Sequence, residues 1–199
     1  MEAGAPHHES ALWRRAAEPV GAHDLAAALL DRGRYGHSRG VAQQAARLAR
    51  ASRLPRDRRA RLLCAAWLHD LGHGLGPGFH PLLAARALRR AGHEPLARLV
   101  AHHLGAAFEA AIRGLPPLGR EFPVPADADA ALLTLLDVAD VTTGADGARI
   151  TPATRLRELV GRRPPSDPAV RVLVHTVSRL GAEATTRALV EHVSPRSPT

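Results

Sequence analysis

Ala65-Ala66-Trp67-Leu68-His69-Asp70-Leu71-Gly72 runs without a break from an apolar helical pattern into an imidazole and a carboxylate. Leu62, Leu63, Ala66 and Trp67 recur at the spacing that puts side chains on one inward helix face. The spacing predicts a helix from about Pro55-Arg56-Asp57 to His69-Asp70, with Gly72 as its stop. An imidazole and a carboxylate at the end of an apolar face need either mutual hydrogen bonds or a cation. Divalent ions with hydrolytic roles favour that mixture of nitrogen and oxygen donors. The dipeptide alone decides little, because His23-Asp24 is a second copy. There Val20-Gly21-Ala22 precedes it, and the pair reads as a helix cap.

Outward from this stretch the chain reads as helices separated by Gly and Pro. Upstream, His37 starts a helix running from Gly36 to about Ser52. Val41, Ala45, Leu48 and Ala49 face inward there, and Gln43, Gln44, Arg47 and Arg50 fall mostly on the other side. Downstream, His80-Pro81 and Glu94-Pro95 open two helices, since proline fits a first turn. The second of these ends in Ala101-His102-His103-Leu104-Gly105. A Pro-rich connection, Leu115 to Pro125, precedes a helix from about Asp127 to Val141. Thr151-Pro152 and Asp167-Pro168 have the pattern of an N-cap followed by a first-turn proline, and a last helix is expected over 182–192.

No stretch alternates with period two and no internal repeat is visible. Aromatic residues are only 3% of the chain, and Ala and Leu dominate the apolar content. Both are strong helix formers. The expectation is an all-α fold, a compact irregular helical bundle forming one domain over 11–193. Residues 1–10 and 194–199 have the composition of disordered tails.

All 27 basic residues are arginine, and the chain contains neither Lys nor Asn. The formal charge of +8 therefore reflects a compositional bias and is a poor argument for a nucleic-acid partner. The single Cys64 excludes an internal disulfide framework and a thiolate metal cluster; it reads as a buried, inert thiol. Met1 is followed by Glu2, His7, His8 and Glu9 rather than an apolar signal core. No run approaches the roughly 18 apolar residues of a membrane span. A cytoplasmic protein without a membrane partner is expected.

Three phrases carry a resemblance: Tyr35-Gly36-His37-Ser38 with Val41-Ala42, Ala65 to Gly72 as quoted, and Val138-Ala139-Asp140. Their order, His then His-Asp then Asp on separate helices, resembles the HD superfamily of metal-dependent phosphohydrolases. The resemblance spans about 35–147. It implies that His37, His69, Asp70 and Asp140 hold a divalent ion (Mn, Fe, Co or Mg). Asp137 shares the helix face of Asp140, but Ala139-Asp140-Val141 matches the family phrase, leaving Asp137 as a partner behind the ligand or as a solvent-facing residue.

In superfamily members that hold two ions, further histidines in this interval bind the second. His80 and the pair His102-His103 resemble those positions, and His103 is the better of the pair. His73 is similar to a histidine that assists catalysis in the triphosphohydrolases acting on deoxynucleotides. Gly72, His73 and Gly74 stand where guanosine tetraphosphate hydrolases carry Glu-Asp, which argues against that activity. The Gly-Tyr-Pro phrase of cyclic dinucleotide phosphodiesterases is absent after His103. The implied function is hydrolysis of a phosphate ester or anhydride, of a small phosphorylated substrate such as a nucleotide, by metal-activated water. Asp70 would be the shared ligand and proton acceptor. The alternative is an inactive metal- or nucleotide-binding regulator. Arg34, Arg39 and Arg149 lie close to ligands in sequence, and the loop Thr142 to Gly147 follows the last ligand directly.

Overall fold

A computed structural model describes residues 11–182. The expected tails at 1–10 and 194–199, and the expected last helix beyond Ala182, lie outside those residues. After a helical turn at 11–14 come α1 (Pro19–Leu29), α2 (Arg32–Ala51) and α3 (Arg56–Leu68). A 3₁₀ turn at Leu71–Gly74 leads to α4 (His80–Arg90) and α5 (Glu94–His102), and a second at His103–Gly105 leads to α6 (Ala106–Ile112). Then follow α7 (Asp127–Val141), α8 (Pro152–Val160) and α9 (Pro168–Ala182). Among the described residues there is no strand, only one isolated bridge between Thr143 and Arg149. None of their helices is long and apolar enough to cross a membrane. The expected all-α fold is what is found.

α3 is the centre of the assembly, packed against α1, α2, α5 and α7. Its Leu62, Cys64, Ala65, Ala66 and Leu68 are fully buried, whereas Leu63 and Trp67 are half-buried at its edge. Leu25 of α1, Leu48 of α2, Leu88 of α4, Leu99 of α5 and Leu132 and Leu136 of α7 join them in one core. Each such leucine contributes about 1.5–3 kcal/mol relative to exposure. Phe122, the largest fully buried side chain, fastens the Pro-rich connection under the guanidinium of Arg89, 3.8 Å from its ring centre.

Several starts follow the expected pattern. Thr151 accepts from the Thr154 amide at the head of α8, and Asp167 accepts from the Ala169 amide at the head of α9. Others differ for identifiable reasons. α2 begins at Arg32 rather than at Gly36–His37, because the Asp31 carboxylate caps it by accepting from the amides of Gly33 and Arg34. His37 accordingly lies in the second turn. His23-Asp24 is no cap; it sits inside α1, where His23 bonds Asp24 at 2.8 Å and the Tyr35 hydroxyl at 3.0 Å. Gln44 is buried, donating to the Thr142 hydroxyl at 3.1 Å. Gly72 does not stop α3, which already ends at Leu68; it lies in the 3₁₀ turn against the backbone of His80.

Candidate metal centre

α3 delivers His69 and Asp70 at its C-terminal end, where the turn Leu71–Gly74 bends the chain toward α4. α2 supplies His37, α7 supplies Asp140, and the first residue of α4 is His80. His103 follows the last residue of α5. Six residues distant in sequence thus meet where five helices converge.

Three of the histidines are held in the same manner. His69 Nδ1 lies 2.9 Å from the Ala66 carbonyl, His103 Nδ1 2.7 Å from that of Val100, and His37 Nδ1 2.9 Å from that of Gly144. A carbonyl only accepts, so each Nδ1 carries the proton and donates it. In the neutral ring, the Nε2 of His69 and of His103 is left as a lone pair facing the cluster, whereas that of His37 is paired with Asp140 at 3.1 Å. His69 is completely buried and its Nε2 has no hydrogen-bond partner. Its nearest charged neighbours are acceptors too, Asp70 Oδ2 at 3.8 Å and Asp140 Oδ2 at 3.9 Å. A buried lone pair surrounded by carboxylates is costly unless a cation sits between them.

Ligand atoms of His37, His69 and Asp70 lie within 4.8 Å of one another, and so do those of Asp70, His80 and His103. Asp70 belongs to both groups. Its Oδ1 is 3.5 Å from His80 Nε2 and 3.7 Å from His73 Nε2, while its Oδ2 accepts from Arg34 Nη1 at 2.9 Å. Asp140 Oδ1 is 3.1 Å from His37 Nε2. The nitrogen and carboxylate donor set, with the rings of His37, His69 and His103 each oriented by a backbone carbonyl, fits one or two divalent ions.

The protonation balance matches this arrangement. Burial opposes the charged form of Asp70, but the neighbouring His69, His80, His37 and Arg34 hold its carboxyl well below the usual range. Asp140 is likewise held down against burial, chiefly by the His37 hydrogen bond. Burial depresses the imidazoles of His69 and His73 and takes His80 to about 2, with Asp70 working the other way on all three. Burial works against the charged form of His37 as well, yet Asp140 and Asp70 outweigh it and raise that imidazole.

A cavity of about 490 Å³ opens from the cluster, with His37, Asp70, His80, His103 and Asp140 on its inner wall. His73 also lines it, its ring stacked on His80 at 4.1 Å. His102 is not brought to the site: its Nε2 bonds the Phe122 carbonyl at 2.8 Å. Adjacent residues at this helix end point apart, and the turn directs His103 inward. Asp137 is buried but belongs to neither group; it accepts from the Leu104 amide and from Arg179, both at 2.5 Å. Burial raises its carboxyl to about 7.

Sequence reasoning missed the cavity's outer wall. Arg113, Arg155, Arg162 and Arg163 line it together with Glu109. Glu109 is paired with Arg113 at 2.6 Å, and Arg163 with Asp167 at 3.0 Å. In an arginine-rich chain nothing in the sequence separates these from surface arginines. Arg34 lines the cavity, whereas Arg39 and Arg149 are exposed and do not. From the loop after α7, Ala145 lines the cavity and Gly144 orients His37.

The family model described as HD domain matches residues 34–145, more than half of the chain, and includes His37, His69, Asp70 and Asp140. The chain belongs to the HD domain family. No curated protein and no solved structure gives a significant match. HD domains are in general metal-dependent phosphohydrolases, and the two His/Asp groups are compatible with that chemistry. α8 and α9, which complete the cavity, fall outside the matched residues.

Proposed function

We propose that this HD protein hydrolyses a phosphate ester or anhydride of a small phosphorylated molecule, a nucleotide being the favoured class. In this reading His37, His69, Asp70 and Asp140 hold one divalent ion, Mn, Fe, Co or Mg. Asp70, His80 and His103 hold a second. The observation that carries it is the fully buried His69 imidazole, with Nδ1 committed to a carbonyl and Nε2 without a hydrogen-bond partner beside the carboxylates of Asp70 and Asp140. Bound there, such ions supply Lewis acidity to a phosphoryl group and acidify water for in-line attack.

The chain's own groups divide the remaining work. Asp70 stands between the two groups and, as a carboxylate, can accept the proton released by attacking water. His73 is one-third exposed and lines the cavity 3.7 Å from Asp70, where its ring can relay the proton taken up by Asp70 to the leaving group. Arginines on the opposite wall supply donors of the geometry that phosphate oxygens take up bidentately. The side chains of Arg155 and Arg162 make no hydrogen bond or ion pair among the described residues, which favours an anionic ligand over an apolar one. His102 has no part in this reading.

The test is hydrolysis of a nucleotide panel and a generic phosphodiester with each metal supplied, for the natural chain and Asp70→Ala. Activity should fall by at least ~10³-fold while the helical fold persists. Equal rates in both would refute the mechanism. A metal-loaded natural chain that binds nucleotides and turns over none would favour the regulator.

A further inference from the structure

Asp137 is 1% exposed and makes two contacts that the reaction does not use. Its Oδ1 accepts from the Leu104 backbone amide, and its Oδ2 accepts from Arg179 Nη2 on α9. Leu104 immediately follows His103 and is left-handed, with φ 48° and ψ 38°. Gly105 is left-handed as well, with φ 69°. A leucine seldom takes that conformation because its Cβ crowds the backbone, so something must hold it. The Asp137 carboxylate is the buried group that bonds its amide.

α9 also presses on this turn directly. A Cβ placed on Gly105 would lie 2.6 Å from Thr176 Oγ1. The turn thus lies between α7, which bonds it through Asp137, and α9, which packs closely on it at Thr176. On its other side His103 Nδ1 is fixed to Val100 at the end of α5. With the ring pinned there and the backbone held by Leu104, the direction of His103 Nε2 is set by both ends.

We propose that Asp137 and Arg179 are positioning residues for the second ion, with α9 acting as a brace that aims His103 at Asp70 and His80. The proposal rests on the reading that His80, His103 and Asp70 hold that ion. An ion pair buried on its Asp137 side and serving only to pack α9 on α7 should be replaceable by apolar side chains at little cost. Here one carboxylate oxygen is instead bonded to the amide next to a ligand, which ties the pair to the direction of a ring.

Cobalt binding to the full chain tests it, by calorimetry, by metal content after gel filtration and by the visible Co²⁺ spectrum. The natural chain should take two ions, and His103→Ala marks the loss of the second. Arg179→Met and Asp137→Ala should weaken the second ion at least ~10-fold, leave the first within about threefold, and change the second ion's spectrum. Arg179→Lys should recover most of the affinity. Asp137→Asn should lie between, since its amide oxygen still accepts from Leu104. If Arg179→Met keeps both affinities and the natural spectrum while melting earlier, the pair only packs helices and the proposal is overturned. If Asp137→Ala fails to fold, the Arg179 pair still decides. A natural chain that takes one ion overturns the two-ion reading and this proposal together, which distinguishes that outcome from failure of the brace alone.

Discussion

Gly72→Ala should disturb the candidate metal centre without replacing any of its proposed ligands. A Cβ on residue 72 would lie 2.0 Å from the His80 carbonyl oxygen and 2.7 Å from its carbonyl carbon and Cα. All three are backbone atoms, so no side chain can swing aside. Real Cβ contacts essentially never fall below 3.0 Å, so the strands of backbone must part by about 1 Å. Metal–ligand distances tolerate about ±0.2 Å, several times less. His80 should therefore be displaced from the proposed second ion, while His37 on α2 and Asp140 on α7, distant from the turn in sequence, stay. Second-ion affinity should drop about 100-fold, equivalent to about 2.7 kcal/mol. The overpacking itself should cost about 1–3 kcal/mol of stability, lowering Tm by roughly 2–12 °C in a chain of this size. Cobalt titration and thermal melting measure the two effects separately. If Gly72→Ala binds both ions as the natural chain does, the Gly72–His80 contact does not control the site and the reasoning fails.

The two adjacent histidines should behave oppositely. His103→Ala should lower metal stoichiometry, whereas His102→Ala should leave it unchanged and cost about 1–3 kcal/mol, because the Phe122 carbonyl loses its buried partner. Metal analysis with denaturant melts checks both. Cys64 is fully buried and burial pushes its thiol up to about 12, so at pH 8 a thiol reagent should label it only as fast as the protein unfolds. Equal labelling of folded and denatured chains would contradict that. Glu94 is lowered to about 2, first by the Arg89 hydrogen bond, against burial, with Arg98 adding to it. A depressed carboxylate stabilises above its unfolded value near 4.5 and loses that contribution as pH falls through its folded value. The stability gap between the natural chain and Glu94→Gln should thus be present at pH 7 and close toward pH 2. A gap independent of pH would show that the carboxylate charge is irrelevant.

Much of this architecture was legible because local rules and the core agreed. Pro81, Pro95 and Pro152 mark helix starts by chemistry that needs no tertiary partner, and the apolar pattern of 127–141 coincides with α7. His69-Asp70 stood out because polarity appeared where an inward face should have continued. What could not be read depends on contacts made across the fold. α2 reads as starting only at Gly36 until Asp31 is seen capping the amides of Gly33 and Arg34. Gln44 looks exposed until Thr142 arrives from α7. α6 is a short alanine-rich helix whose face is defined by α9, and α1 was obscured by a His-Asp pair that reads as a cap. Asp137 and Asp140 share a helix face in sequence, yet one meets Arg179 and the other His37. Resemblance favours His103 over His102, and the physical reason appears only in the fold, where the left-handed Leu104 turns the chain toward α6 and His102 bonds Phe122.

The glycines of α2 and of the loop after α7 set the mechanics of the cavity. A Cβ on Gly40 would meet the Gly147 carbonyl at 2.3 Å, and one on Gly147 would meet the Gly36 carbonyl at the same distance. Backbone lies directly on backbone there, and Gly144 grips His37 from the same loop. This half behaves as a stator, with too little clearance for α2 and the loop to slide past each other. The opposite half is held more lightly, for α8 has no fully buried residue. Local opening draws on the least-buried elements first. Local opening should therefore begin at α8, which carries Arg155 on the cavity wall, before it reaches the histidines. Amide exchange would register the contrast as slow protons along α2 and fast ones along α8.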